Sequence, residues 1–205
     1  MKIYFVRHGE TQWNKERRLQ GQTNIPLNEN GRRVAELSRE GIKDITFDIA
    51  YTSPLDRAKE TAQILLAGRD IPIIEDDRLK EISFGDNEGV HIPELVEHKR
   101  APLYQFICEP EQYVPSPEAE SLEALSDRCR EFLEQVIIPA EGNYETVMVA
   151  AHGALICSLI SYLEGSPKSE FWNGNLQKNC GFTIVECKDG KLSLLDKGVV
   201  FYELI

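Results

Sequence analysis

Arg7-His8-Gly9-Glu10-Thr11, Ser53-Pro54-Leu55-Asp56-Arg57, Glu81 and His152-Gly153 hold the side chains of this sequence that could do chemistry together. An arginine offers a planar fork suited to phosphate or carboxylate. A histidine beside it can serve as a nucleophile or as an acid and base. Taken alone, either His-Gly step is an ordinary polar strand end. Two such steps after two apolar runs are harder to dismiss. Two arginines, two histidines and one glutamate around a single point suit a phosphoryl group. Its transfer needs a nucleophile, positive charge on the equatorial oxygens and an acid for the leaving group. The sequence has neither an Asp cluster for Mg²⁺ nor a Gly-rich phosphate loop with a Lys, and His8 and His152 lack the spacing of a zinc helix motif.

The elements around these residues place them together. Ile3 to Val6 reads as a strand buried on both faces, the kind found in a parallel sheet. Glu10 to Leu27 reads as an irregular segment over the mouth of the site. Asn28 resembles an N-cap for a helix to about Glu40, with Gly41 ending it. Phe47 to Tyr51 is a second strand. Ser53, Pro54 and Asp56 look like a helix start capped by the serine, which puts Arg57 in the first turns. Ile71 to Glu75 is a third strand, with Glu81 beyond its end.

Two short helices are expected near Ile92 to Lys99 and Leu103 to Cys108, followed by a proline-rich loop. Phe106 reads as core, and Tyr104 and Tyr113 are left open between core and substrate pocket. A helix opens at Ser121, carries Cys129 on its buried face and ends at Pro139; Arg128 reads as a structural ion-pair partner. Thr146 to Ala151 is another buried strand, ending in His152-Gly153 and a helix from Leu155 to Leu163. Phe182 to Glu186 and Leu192 to Leu195 form a hairpin around Asp189-Gly190, and Val199 to Tyr202 is a last strand. Parallel strands bring the polar groups to one rim, where open α/β sheets bind ligands.

The chain of 205 residues is long enough for one large α/β domain, and its 41% hydrophobic and 28% charged residues are ordinary for a globular protein. A net charge of -11 argues against a nucleic-acid or anionic-membrane partner but leaves room for a small anionic ligand. No stretch approaches a membrane span, and a strand starting at residue 2 leaves no room for a signal peptide. Five cysteines without a CxxC pair suit a reducing cytoplasm. The oligomeric state is open between monomer and homodimer.

These motifs resemble those of the histidine phosphatase superfamily, also called phosphoglycerate mutase-like. Arg7-His8-Gly9-Glu10-Thr11 with Trp13-Asn14 is similar to its signature. Ser53-Pro54-Leu55-x-Arg57-Ala58-x-x-Thr61 and Leu79-x-Glu81-Ile82-x-Phe84-Gly85-x-x-Glu88-Gly89 are similar to its second and third motifs. Glu120-Ser121-Leu122 and Ala151-His152-Gly153 complete the set in family order. The resemblance implies a three-layer α/β/α sandwich with a mainly parallel central sheet, formed as a single domain over residues 1–205. It implies that His8 becomes phosphorylated, that Arg7, Arg57 and His152 bind the phosphoryl group, and that Glu81 is the proton donor and then the base for water. Asn14 is implied as a secondary phosphate contact, and Gln20, Gly21 and Gly153 lie beside the substrate. No cofactor and no metal are called for.

Within the family, Arg17-x-Leu19-Gln20-Gly21, Pro26-Leu27 and Phe84-Gly85-Asp86-x-Glu88-Gly89 are similar to the phosphatase branch. The expected activity is hydrolysis of a small phosphorylated metabolite. A phosphoglycerate mutase and a non-catalytic phospho-ligand binder are the alternatives, and a metal-dependent hydrolase lacks its carboxylate cluster. Mutases have a longer segment between the Glu81 and Glu120 motifs, and this one offers only Lys99 and Arg100 to a bisphosphoglycerate carboxylate. Selectivity is assigned to Gln20–Thr23 and to residues 86–120, read as a substrate lid. Asn24, Asn87 and Cys157 depart from the usual Asp, Trp and Arg of the pattern. His91 and His98 read as ordinary polar residues.

Overall fold

The computed structural model describes residues 1–203. Six strands form one sheet in the order β3-β2-β4-β1-β5-β6. They are β1 (Lys2–Arg7), β2 (Ile49–Thr52), β3 (Ile73–Glu75), β4 (Thr146–Ala151), β5 (Phe182–Lys188) and β6 (Lys191–Val199). The pairings β3-β2, β2-β4 and β4-β1 are parallel, whereas β5 joins β1 and β6 antiparallel. The helices are α1 (Gln12–Lys15), α2 (Glu29–Gly41), α3 (Asp56–Leu65), α4 (Ile92–Glu97), α5 (Leu103–Cys108), α6 (Leu122–Phe132), α7 (Ile138–Ala140) and α8 (Gly153–Glu164).

The strands read as continuous apolar runs because both faces are covered. Alternation sends Ile3 and Phe5 of β1, with Val147 and Val149 of β4, into the core shared with α6 and α8. Tyr4 and Val6, with Met148 and Ala150, face the core that takes Ala62 and Leu65 of α3. The result is the expected three-layer α/β/α sandwich. Phe106 is buried, and Phe84, Tyr113 and Trp172 stand edge-on around it at 4.9, 5.1 and 5.2 Å between ring centroids. Tyr113 therefore belongs to the core, while Tyr104 is half-buried against it. Cys129 is buried on α6 as expected, and Arg128 pairs with Glu120 at 2.7 Å.

Several boundaries differ from the sequence reading. β2 begins at Ile49 rather than Phe47, because the Asp48 carboxylate accepts the N–H groups of Glu145 and Thr146 where ladder bonds would otherwise start. β3 begins at Ile73, when β2 is there to pair with. Glu81 does not follow a strand directly; a 3-10 turn at Asp77–Leu79 intervenes. The helical run opened at Ser121 ends at Ala140, one residue past Pro139. The chain widens into a π-helix over Leu133–Ile137 and continues through α7, which contains Pro139. No strand covers 200–203. Phe201 instead meets Phe182 edge-to-face, and its carbonyl crosses Gly41 where a Cβ would collide.

Among the described residues, no helix is long and apolar enough to cross a membrane.

Candidate active site

Because β2, β4 and β1 are adjacent and parallel, their carboxyl ends form one rim. Arg7-His8, Ser53 with the start of α3, and His152 with the start of α8 all emerge there. A cavity of about 380 Å³ opens over this rim. Of the residues picked out from sequence, Arg7, His8, Asn14, Gln20, Gly21, Arg57, Glu81 and Gly153 line it. His152 is fully buried behind them, its ring centroid 5.2 Å from that of His8.

His8 Nδ1 lies 2.7 Å from the Gly9 carbonyl. A carbonyl only accepts, so Nδ1 carries the proton and Nε2 keeps a free lone pair. Ser53, read from sequence as a helix cap, does different work. Leu55 is the N-cap of α3, and Ser53 Oγ sits 2.8 Å from His152 Nε2 while accepting the Leu55 N–H. The hydroxyl proton is free to go to His152 Nε2, the arrangement in which the ring proton sits on Nδ1. His152 Nδ1 has no protein partner, and neither do Arg7 Nε and Arg57 Nε. Buried donors without acceptors are rare and call for an explanation.

Both arginines are clamped by carbonyls. Arg7 donates to Gln177 O at 2.6 Å, and Arg57 to Gly21 O at 2.6 Å and Thr23 O at 2.9 Å. Burial lowers Arg7 from the usual arginine value, and burial lowers Arg57 to about 10, so Arg57 stays charged at neutral pH. The Glu81 carboxyl caps α8. Its Oε2 accepts from Ala154 N, and its Oε1 accepts from Leu155 N and Ile82 N, at 3.0 to 3.1 Å. His152, the N-cap residue, makes no side-chain cap bond itself. Arg128 holds the Glu81 carbonyl from behind at 3.1 Å. Asn14 Oδ1 is occupied by Thr11, which leaves its amide N–H groups for the cavity. Asn24, where an Asp was expected, accepts the Asp56 N–H at the start of α3.

Burial holds the His8 ring well below the ordinary histidine value, and the charges of Arg57 and Arg7 push it further down. His152 moves the same way, first from burial and then from Arg57. Both rings are therefore neutral at pH 7. In the unfolded chain they titrate near pH 6.5, so below that pH the unfolded state binds protons that the folded site refuses. Stability should fall with falling pH by up to about 2.7 kcal/mol per unit, about 1.4 for each ring. Denaturant titrations in phosphate-free buffer between pH 7.5 and 5.5 check this. The double variant His8→Gln/His152→Gln should show a shallower slope, and equal slopes would mean that these rings do not titrate as described.

The family model described as the histidine phosphatase superfamily (branch 1) matches residues 3–199. The chain belongs to that superfamily. It is 39% identical over 163 residues to the uncharacterized phosphatase PhoE of Bacillus subtilis, covering 80% of this chain and 77% of that one. It is 34% identical over 167 residues to the probable phosphoglycerate mutase GpmB of Serratia proteamaculans, covering 82% and 76%. The solved structure of Bacillus stearothermophilus YhfR superimposes with a TM-score of 0.91 at 33% identity, over 98% of this chain and 99% of that one. This histidine phosphatase is a phosphatase enzyme by its family and by relatives so named.

Sequence reasoning missed Gln177, Trp172 and Leu176. They come from the irregular stretch between α8 and β5, clamp Arg7 or wall the cavity, and carry no periodicity or motif. Ser53 was visible, but its local grammar pointed to a cap. Among the described residues no three His, Cys, Asp or Glu side chains gather as a metal site requires.

Proposed function

We propose that this histidine phosphatase hydrolyses a phosphomonoester through a phosphohistidine at His8, and that the ester carries an apolar organic group. The observation that carries the reading is the convergence of three unpartnered donors, Arg7 Nε, Arg57 Nε and His152 Nδ1, around a neutral ring whose Nε2 lone pair is free. Such donors suit the equatorial oxygens of a phosphoryl group in transfer. His8 Nε2 attacks phosphorus in line; the N–P bond forms and the P–O bond to the alcohol breaks. Glu81 gives the leaving oxygen its proton. Oε2 fits this role, since it accepts one N–H and has a site left, whereas Oε1 accepts two. Water then attacks the phosphohistidine and hands a proton to Glu81, releasing phosphate.

The outer cavity supports hydrolysis over mutase chemistry. Its walls are Leu19, Phe84, Ile92, Phe106, Ile107, Trp172 and Leu176, and Arg18, its one cation besides Arg7 and Arg57, is held by Glu16 and the Gly89 carbonyl. A bisphosphoglycerate needs cations for its carboxylate and second phosphate, and Lys99 and Arg100 are exposed and do not line the cavity. Residues 86–120 act as the substrate lid in this reading, supplying Ile92, Phe106 and Ile107. Five unpaired cysteines support a cytoplasmic location.

Phosphate release from a panel of esters, in EDTA, tests the reading. Aryl and long-chain alkyl phosphates should be turned over with higher kcat/KM than 3-phosphoglycerate. Isomerisation of phosphoglycerate after bisphosphoglycerate priming, without release from any ester, would make the protein a mutase.

A further inference from the structure

Glu88 belongs to the third motif, lies outside the cavity lining and is not used by the chemistry above. Its carboxylate is nonetheless densely bonded. Oε1 accepts from Gln22 N at 2.8 Å and Phe84 N at 3.2 Å; Oε2 accepts from Thr23 N at 2.6 Å and from the Thr23 hydroxyl. Three of these four donors come from Gln22 and Thr23, in a stretch without helix or strand. The same stretch supplies the Gly21 and Thr23 carbonyls that hold both terminal nitrogens of Arg57.

One peptide group is common to both sets. The carbonyl of Gly21 and the N–H of Gln22 are the two ends of a single planar amide and point in opposite directions. The guanidinium takes one end and the Glu88 carboxylate takes the other. A cation and an anion at opposite ends of a peptide dipole polarise it in the same sense, and each bond strengthens the other. Gly21 makes the approach possible. It sits at φ +53, and a Cβ there would overlap the Glu88 carboxylate. Each terminal nitrogen gives one N–H to a carbonyl and keeps a second, and Nε has no protein partner, so the carbonyls fix the plane of the Arg57 fork and leave N–H groups for a ligand.

We infer that Glu88 is a positioning residue for Arg57, acting through the Gly21–Gln22 peptide to aim the Arg57 guanidinium at the phosphoryl group. The inference rests on the proposed role of Arg57 in holding that group. Glu88→Gln puts an NH₂ where an acceptor is needed and breaks the relay at its anionic end. Thr23→Val removes one donor with little change in shape.

Competitive inhibition by orthovanadate, a mimic of the transferring phosphoryl group, reads the effect in wild-type and Arg57→Ala backgrounds. Arg57→Ala alone should raise the vanadate inhibition constant, and if it does not, the phosphoryl role of Arg57 falls and this inference with it. Glu88→Gln should raise the constant by about 10- to 100-fold in the wild type, the scale of lost hydrogen bonds to a charged group. In the Arg57→Ala background it should change it less than about twofold, because residues acting through one another are not additive. Thr23→Val should follow the same pattern at about threefold, and carries the test should Glu88→Gln fail to fold. Equal losses in both backgrounds, or a lowered melting temperature with vanadate affinity intact, would overturn the proposal and leave Glu88 a fold residue only.

Discussion

His8→Ala will lose phosphate release by at least about 10⁴-fold, the scale on which enzymes fall when a covalent nucleophile is removed. The neighbouring ring cannot take its place. His152 Nε2 is committed to Ser53, and its Nδ1 is assigned the ring proton, so it has no free lone pair to attack with. His8 alone combines a free Nε2, a depressed basicity that keeps it neutral, and a position on the cavity wall. Rapid quenching of the wild-type enzyme with a ³²P-labelled aryl phosphate should trap an acid-labile, base-stable phosphoprotein, the signature of phosphorus on nitrogen. The variant should trap none. A His8→Ala enzyme that keeps a tenth of its turnover would refute the phosphohistidine pathway.

Glu81→Gln should slow hydrolysis of alkyl phosphates by about 10²- to 10⁴-fold, the usual worth of a positioned general acid. A nitrophenyl ester needs little protonation of its leaving oxygen, so its first step should survive. The second step still lacks a base. The variant should therefore release a burst of nitrophenol equal to the enzyme present and then turn over slowly, with phosphoenzyme accumulating. Gln also places an NH₂ against the α8 N–H groups now capped by the carboxyl. Weakening that cap should cost about 0.5–2 kcal/mol of stability, which thermal unfolding separates from the kinetic loss. An equal loss for alkyl and nitrophenyl esters, without a burst, would exclude Glu81 as the acid.

What could be read from sequence was local. An apolar run of five or six residues that ends in Arg-His-Gly or His-Gly announces a buried strand and its polar terminus, and β1 and β4 lie where those runs predict. Parallel pairing then brings the termini to one rim, so Arg7, His8, Arg57 and His152 could be grouped before any coordinates. Glu81 joined them as the residue beyond the third strand, and the family motifs added the roles and the order of the pieces. Cys129 followed from helical spacing, Phe106 was read as an ordinary core aromatic, and both are buried as expected.

Contacts between irregular segments were decided only by the folded chain. Ser53 prefers His152 across β2 and β4 to its own helix, Gln177 clamps Arg7 from 170 residues away, and Glu88 gathers Gln22 and Thr23 from more than 60 residues away. Strand ends at β2 and β3 were set by Asp48 and by ladder partners rather than by β-propensity. The reason is physical. Hydrophobic periodicity fixes which face of an element is buried, and that information is carried by neighbours in the chain. A buried carbonyl, carboxylate or guanidinium must find a partner wherever the packed layers happen to offer one, and that choice exists only once the layers have met.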